Sequence, residues 1–322
     1  MGSTYAQPAR ADIEAASARI RPIALRTPLV RSDWLSDAAN ASVWLKLEIV
    51  QTTGAFKIRG ALNAMLRLRE ARPEIRQVVT ASAGNHGQAI ALAAARTGLR
   101  ARVHVPATAP AAKLDAIKRW GAEIVPAATY DEAEARALAE AADPSNAHIS
   151  AYNHPDVIAG AGTVALEMFE DEPDLDTLVV PLGGGGLLTG TAIVARSIAR
   201  PVLVVGAEVE ASPVFTTSLA AGRITTVKVG PTLADGLAGN MEPDSQTFGF
   251  VQALVDRVVA VSESALGFAM RELIARERFI VEGAGAAGVA AVLQGGLDVA
   301  GRRVGVVLSG RNVDSRVIAR VL

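Results

Sequence analysis

Four short segments carry residue types that could do chemistry together. The first is TGAFKIRG (53–60), which holds Lys57, one of five lysines beside 27 arginines in 322 residues. Lys57 follows a glycine turn and Phe56, at a position where the pattern predicts the first turn of a helix. The positive end of a helix disfavours an ammonium, and apolar neighbours lower a lysine pKa by desolvation. An amine poised to be neutral can form a Schiff base with an aldehyde. A plain surface lysine at a helix start fits this segment as well. The second segment, TASAGNHGQA (80–89), joins a strand end to a helix. Its small residues let backbone N–H groups face an anion, and Asn85 can either donate to a phenolate-like oxygen or cap the helix. The third, VPLGGGGL (180–187), spends chain entropy on four glycines in a row, which a backbone nest for a phosphate explains. The fourth, VLSGRNV (307–313), sets Ser309 at a strand end. There it could hydrogen-bond a heterocyclic nitrogen, or simply begin a turn.

The third segment lacks the G-K-[ST] ending of a nucleoside-triphosphate loop and the G-x-G-x-x-G spacing of a dinucleotide site. A nucleotide-dependent oxidoreductase on the same type of sheet is therefore disfavoured. The chain has no cysteine, which excludes disulfides, thiolate zinc and iron–sulfur clusters. Its four histidines, at 86, 104, 148 and 154, do not form a metal-ligand spacing. A net charge of −1 makes no case for nucleic acid or an anionic membrane. The N-terminus has no apolar signal core and no run reaches spanning length, so a cytoplasmic location is expected.

The elements that must position these segments alternate. Strands are expected at 42–48, 77–82, 101–106, 123–126, 176–182, 202–208, 257–261 and 303–309. Helices are expected at 85–97, 110–120, 131–142, 156–169, 187–200, 263–278 and 286–294, with Pro110 at the first helical position. Such alternation means an α/β fold with parallel sheets and helices on both faces. Turn residues cluster near 143–146 and 153–156, which suggests a smaller lobe, 53–150, inserted into a larger one of 1–52 and 151–322. Ligands in such folds sit at the carboxyl ends of strands, between lobes.

Taken together, the motifs resemble the fold-type II pyridoxal-phosphate enzymes, the tryptophan-synthase-β-like group, and within it the serine/threonine dehydratase and serine racemase branch. The resemblance runs nearly end to end: RTPLV (26–30), WLKLE (44–48), TGAFKIRGALNA (53–64), ASAGNHGQ (81–88), GGGGLLTG (183–190), ADGLAG (234–239), EGAGAAGVAAV (282–292) and SGRNVD (309–314). It implies a two-lobed homodimer that binds pyridoxal 5'-phosphate as a Schiff base on Lys57, with Phe56 lining the ring. It further implies Asn85 on the ring 3-oxygen, Gly183, Gly184, Gly185, Gly186 and Leu187 around the phosphate, and Ser309 at the ring nitrogen. The loop Ser82, Ala83, Gly84, Asn85 and His86 would receive the substrate carboxylate.

The implied reaction is α,β-elimination. A 3-hydroxy amino acid of the L-threonine or L-serine type displaces Lys57, whose amine takes the Cα proton. The β-hydroxyl leaves, with the cofactor phosphate as a proton source, and the enamine product hydrolyses to a 2-oxo acid and ammonia. A neutral hydroxyl at Ser309 does not enforce ring protonation, which favours elimination over transamination. Serine racemases of this group place a serine directly before the Gly-Asn-His of the loop. Ala83 stands there and cannot carry a proton, so one-base chemistry is favoured over racemisation.

Two departures from the pattern stand out. Ala55 occupies a position that is usually serine, and Arg311 replaces a usual glycine, where it could select an acidic substrate or pair with Asp314. Some relatives hold a divalent cation, and Glu208 matches one of its ligands. The matching aspartate position carries Val214, with Glu210 nearby, so no metal is expected. SGRN and PTLAD (231–235) resemble the dehydratases of hydroxyectoine breakdown. Hydroxyaspartate and phenylserine are further candidate substrates, and an inactive cofactor-binding homologue is the non-enzyme alternative.

Overall fold

The computed structural model describes residues 6–322; of the polar N-terminal stretch, the first five residues lie outside the described part. Among the described residues ten strands form two sheets. In chain order they are β1 (Leu29–Arg31), β2 (Ser42–Leu47), β3 (Gln77–Ala81), β4 (Arg100–Pro106), β5 (Glu123–Ala127), β6 (Asn146–His148), β7 (Thr177–Pro181), β8 (Leu203–Val209), β9 (Arg257–Val261) and β10 (Arg303–Leu308). The larger sheet runs β1-β2-β10-β7-β8-β9 and the smaller β5-β4-β3-β6. All pairings are parallel except β1 with β2.

The eight expected strands are present within a residue or two, because buried parallel strands read as unbroken apolar runs. β3 and β7, for example, are buried at every position. β1 and β6 were not expected. Each has three residues, and β6 begins inside a cluster of turn residues. Pro110 lies one residue outside its helix, at the N-cap with ψ 137°. The helix expected over 263–278 is α-helical for Glu263–Glu272, widens to a π turn over Leu273–Glu277, and stops at Arg278 in the left-handed conformation.

In each sheet the chain builds outward on one side and returns to the other. In the larger sheet β7, β8 and β9 run one way and β10 lies on the opposite side of β7; in the smaller, β3, β4 and β5 run one way and β6 returns beside β3. Each reversal opens a crevice at the strands' carboxyl ends. The glycine loop follows β7 and Ser309 follows β10, while the 82–86 loop follows β3 and Ser150–Asn153 follows β6. The sequence motifs therefore occupy both crevices.

Helices cover both faces of the larger sheet. Gly283–Leu293 and Glu263–Glu272 bury one face, while Pro155–Asp171 and Gly186–Arg196 bury the other. Pro155–Asp171 is the hub. A Cβ on Gly160 would meet the Arg59 carbonyl oxygen at 2.5 Å, and one on Gly190 would meet Gly162 N at 2.6 Å. These contacts seat the helix Lys57–Ala71 and the helix after the glycine loop against one shared support.

Candidate active site

Lys57 is the first residue of the helix Lys57–Ala71. Its ammonium donates to the Ala151 carbonyl at 2.8 Å, and it lies 5.2 Å from the centre of the Phe56 ring. Part of the side chain meets solvent, yet the amine is deep enough that burial lowers its pKa to about 8. The opposing pull comes from Glu282, itself buried and raised to about 7 by that burial. No carboxylate lies within ion-pair distance of this amine among the described residues.

The first turn of this helix is pinned from below. Two residues on, the Arg59 guanidinium donates to Glu48 at 2.8 Å and to Glu167 at 2.7 Å, and Lys46 donates to Glu167 at 2.6 Å. Arg59 and Lys46 are essentially inaccessible to solvent. Burial pushes Glu167 up, but Arg59 and Lys46 outweigh it and hold the carboxyl below its ordinary range. The charges are paired and hydrogen-bonded, as buried charges must be.

The glycine loop opens the helix Gly186–Arg196 without a side-chain cap, and Gly185 is in the left-handed conformation at φ +88°. A Cβ on Gly184 would lie 2.2 Å from the Tyr152 ring, and one on Gly183 would lie 3.1 Å from Leu237. Thr247 donates to the Gly184 carbonyl at 2.8 Å, drawing that oxygen aside. Side chains on this loop would fill the cradle, and its uncapped helix start carries partial positive charge, so it fits a phosphate. Leu187, in the first turn, is buried.

Ser309 is 4% exposed, and its carbonyl accepts from Phe56 N at 3.0 Å, while Ala55 bridges to Gly310. This pairing sets the end of β10 beside Lys57. Asn85 begins the helix Asn85–Thr97, with Gly84 at the N-cap; its side chain does not cap. It donates instead to Glu282 at 2.6 Å and accepts from Asn312 at 2.7 Å. Ser82 Oγ accepts from Gly84 N at 3.2 Å, and Ala83 packs partly against the core of the smaller sheet. His86 turns away from Asn85's partners: its Nε2 meets the Ile149 carbonyl at 3.0 Å, so that nitrogen carries the proton. Burial, chiefly, lowers its pKa to about 3, which leaves it neutral.

The structure brings together the amine, the glycine cradle, Asn85 and Ser309. Glu282, Asn312, Tyr152 and the Arg59 network were not singled out from the sequence. Their signals lay inside motifs already noted, EGAG and SGRN, but nothing local gave them partners. Glu208 serves the fold: it accepts from Phe215 N at 3.0 Å and from Thr216 N at 2.7 Å, at the start of the helix Val214–Ala221. Asp314 is taken by Arg316 at 2.9 Å, so of the two alternatives for Arg311 the pairing with Asp314 is not formed; the nearer partner, two residues along, wins. Arg311 is exposed and lies over Gly54, with no ion-pair partner among the described residues.

A family model described as pyridoxal-phosphate dependent enzyme matches residues 20–310. The chain is 41% identical to an L-threonine ammonia-lyase of Thermotoga maritima, over 97% of this chain and 77% of that one. It is 38% identical to an L-threo-3-hydroxyaspartate ammonia-lyase of Saccharomyces cerevisiae, over 98% and 96% of the two chains. The structure of maize serine racemase superposes with a TM-score of 0.91 at 34% identity, covering 98% of this chain and 97% of that one. The protein belongs to the pyridoxal-phosphate-dependent enzymes, in the fold-type II serine/threonine dehydratase family.

Proposed function

We propose that this enzyme is a lyase that eliminates water from a 3-hydroxy amino acid of the L-threonine or L-serine type, giving a 2-oxo acid and ammonia. The observation that carries the reading is the placement of Lys57. Its amine, lowered to about 8, is held by a single backbone carbonyl where the two sheet crevices meet. Pyridoxal phosphate, when bound, supplies an aldehyde for the substrate amine and a ring that accepts the electron pair released at Cα. Lys57 is the amine that would hold that aldehyde and, once freed, would take the Cα proton. Gly183 to Gly186, with Leu187, would hold the phosphate, Phe56 would line the ring, and Ser309 would meet its nitrogen. Asn85 would donate to the ring oxygen. The backbone from Ser82 to His86 orients the substrate carboxylate at an uncapped helix start.

Lys57 is the sole protein base in this reading, because Ala83 has no proton to exchange. L-serine should therefore give pyruvate without D-serine, and appreciable D-serine would refute the assignment. The segment 53–150 acts as the lobe that closes, in keeping with a second sheet whose strands all lie within it. A homodimer in the cytoplasm completes the reading, to be checked by the mass of the enzyme in solution and by cell fractionation. An ammonia-release assay across a panel of 3-hydroxy amino acids tests the substrate class; no release from any of them would sink it.

A second reading, 3-hydroxyaspartate as the natural substrate, draws on Arg311. Its guanidinium, without an ion-pair partner among the described residues, sits beside Asn312, which in turn holds Asn85. Arg311→Gly should then slow turnover of 3-hydroxyaspartate while leaving serine turnover unchanged. Equal effects on both would remove this reading.

A further inference from the structure

Asn85 is held from two sides by residues to which the mechanism above assigns no part. It opens a helix that follows β3 of the smaller sheet, whereas both partners belong to the half built on the larger one. Asn312 Nδ2 donates to Asn85 Oδ1 at 2.7 Å, and Asn85 Nδ2 donates to Glu282 Oε1 at 2.6 Å. A side-chain amide can usually be turned over with little loss of fit, since its oxygen and nitrogen are alike in size. Here it cannot. Asn312 Nδ2 also donates to the Thr53 carbonyl at 2.8 Å, and a backbone carbonyl can only accept. That fixes which end of Asn312 is nitrogen, so Asn85 must present its oxygen to it. The nitrogen of Asn85 then faces Glu282, and one of its two hydrogens is left over.

Glu282 is seated for this task. It is 5% exposed, its backbone N–H donates to the Gly310 carbonyl at 3.1 Å, and a Cβ on Gly310 would come within 2.2 Å of its Oε1. The charged groups that face it are Lys57, Lys113 and Asp235. Its Oε1 can accept from Asn85 whether or not the carboxyl carries a proton on the other oxygen, so the bond persists in either state.

We propose that Glu282 and Asn312 are positioning residues that lock the polarity of the Asn85 amide, so that it offers an N–H and never a carbonyl oxygen to the anionic ring oxygen of pyridoxal phosphate. The lock spans the two halves of the molecule, so the donor is set only while they are together. The inference rests on the reading that Asn85 faces the cofactor.

The test is the affinity of apoprotein for pyridoxal phosphate, read from the absorbance of the bound cofactor. Melting temperatures of the apoproteins are measured alongside. Asn312→Asp keeps the shape but can only accept, which favours turning Asn85 over; the affinity should fall about 30-fold. Asn312→Ala removes the constraint without reversing it and should cost only about 3- to 10-fold. Glu282→Gln can still accept through its carbonyl oxygen and should stay within about 3-fold of wild type. Combined with Asn312→Asp, it supplies a donor for the turned-over amide. That double variant should regain part of the melting temperature lost by Asn312→Asp while its affinity stays low. If Asn312→Asp binds at least as tightly as Asn312→Ala, or if the double variant recovers affinity together with stability, the proposal is wrong. Schiff-base absorbance that survived Lys57→Ala in the otherwise unchanged enzyme would instead overturn the reading of the site itself.

Discussion

Two lysines show how differently one side chain can be buried. Lys46 lies inside the larger half with no solvent access, yet a carboxylate meets it at 2.6 Å and the Thr27 carbonyl at 2.6 Å. Lys57 keeps some contact with solvent but, among the described residues, has only the Ala151 carbonyl as a bonded partner. Burial lowers the pKa of both; at Lys46 the pull of Glu167 and Glu48 opposes it at short range. The first amine is tied into a charge network that holds a helix in place. The second has no ion-pair partner among the described residues and feels Glu282 only at longer range, which suits the reactive role proposed for it. Stability and reactivity are thus separated by two residues of chain, Lys57 and Arg59.

The largest test of that separation is Lys57→Ala. Turnover should fall by about 10³-fold or more, since the base is gone, while the melting temperature of the apoprotein moves little. A collapse of the fold would place Lys57 with Lys46. The converse variant is Glu167→Ala, which strips a partner from both Arg59 and Lys46. It should destabilise the protein by about 3–5 kcal/mol in denaturant titrations, because it leaves buried charge uncompensated. Retained stability would mean the network is not what anchors the Lys57 helix.

The titration of Lys57 sharpens the contrast. Its folded value of about 8 lies below the ordinary 10.5, so between those limits the unfolded chain binds more protons than the folded one. Stability of the apoprotein, taken as wild type minus Lys57→Ala, should therefore rise as pH increases from about 8 to 10.5. The expected gain is on the order of 2 kcal/mol. A flat difference across this window would show that the amine is not desolvated. Smallest of all is the ion pair of Lys113 with Asp235, whose carboxylate is exposed and whose lysine is half-buried. Asp235→Ala should change stability by less than about 1 kcal/mol, and the same two-lysine logic expects no change at Lys57.

Much of this site was legible before any coordinates. TGAFKIRG, GNHG, the four glycines and SGRN each sit at a strand or helix end, and each has a residue type suited to one part of the cofactor. What was hidden depends on distant pairs. Glu282 and Asn85 are 197 residues apart, and Arg59 and Glu167 are 108 apart, so no local pattern links them. The helix expectation at 263–278 missed the π turn for a related reason: periodicity reports the apolar face and does not resolve a widened last turn.

The sequence by itself determined the α/β alternation, the four-glycine loop and a lysine at a helix start, because strands, turns and helix starts are written in nearby residues. Only the tertiary structure decided which lysine is neutralised by a carboxylate and which is not. It alone decided that Glu208 caps a helix, that Asp314 belongs to Arg316, and which way the amide of Asn85 points. Those outcomes are set by burial and by which oxygen lies within about 3 Å of which nitrogen, and chain spacing does not encode either.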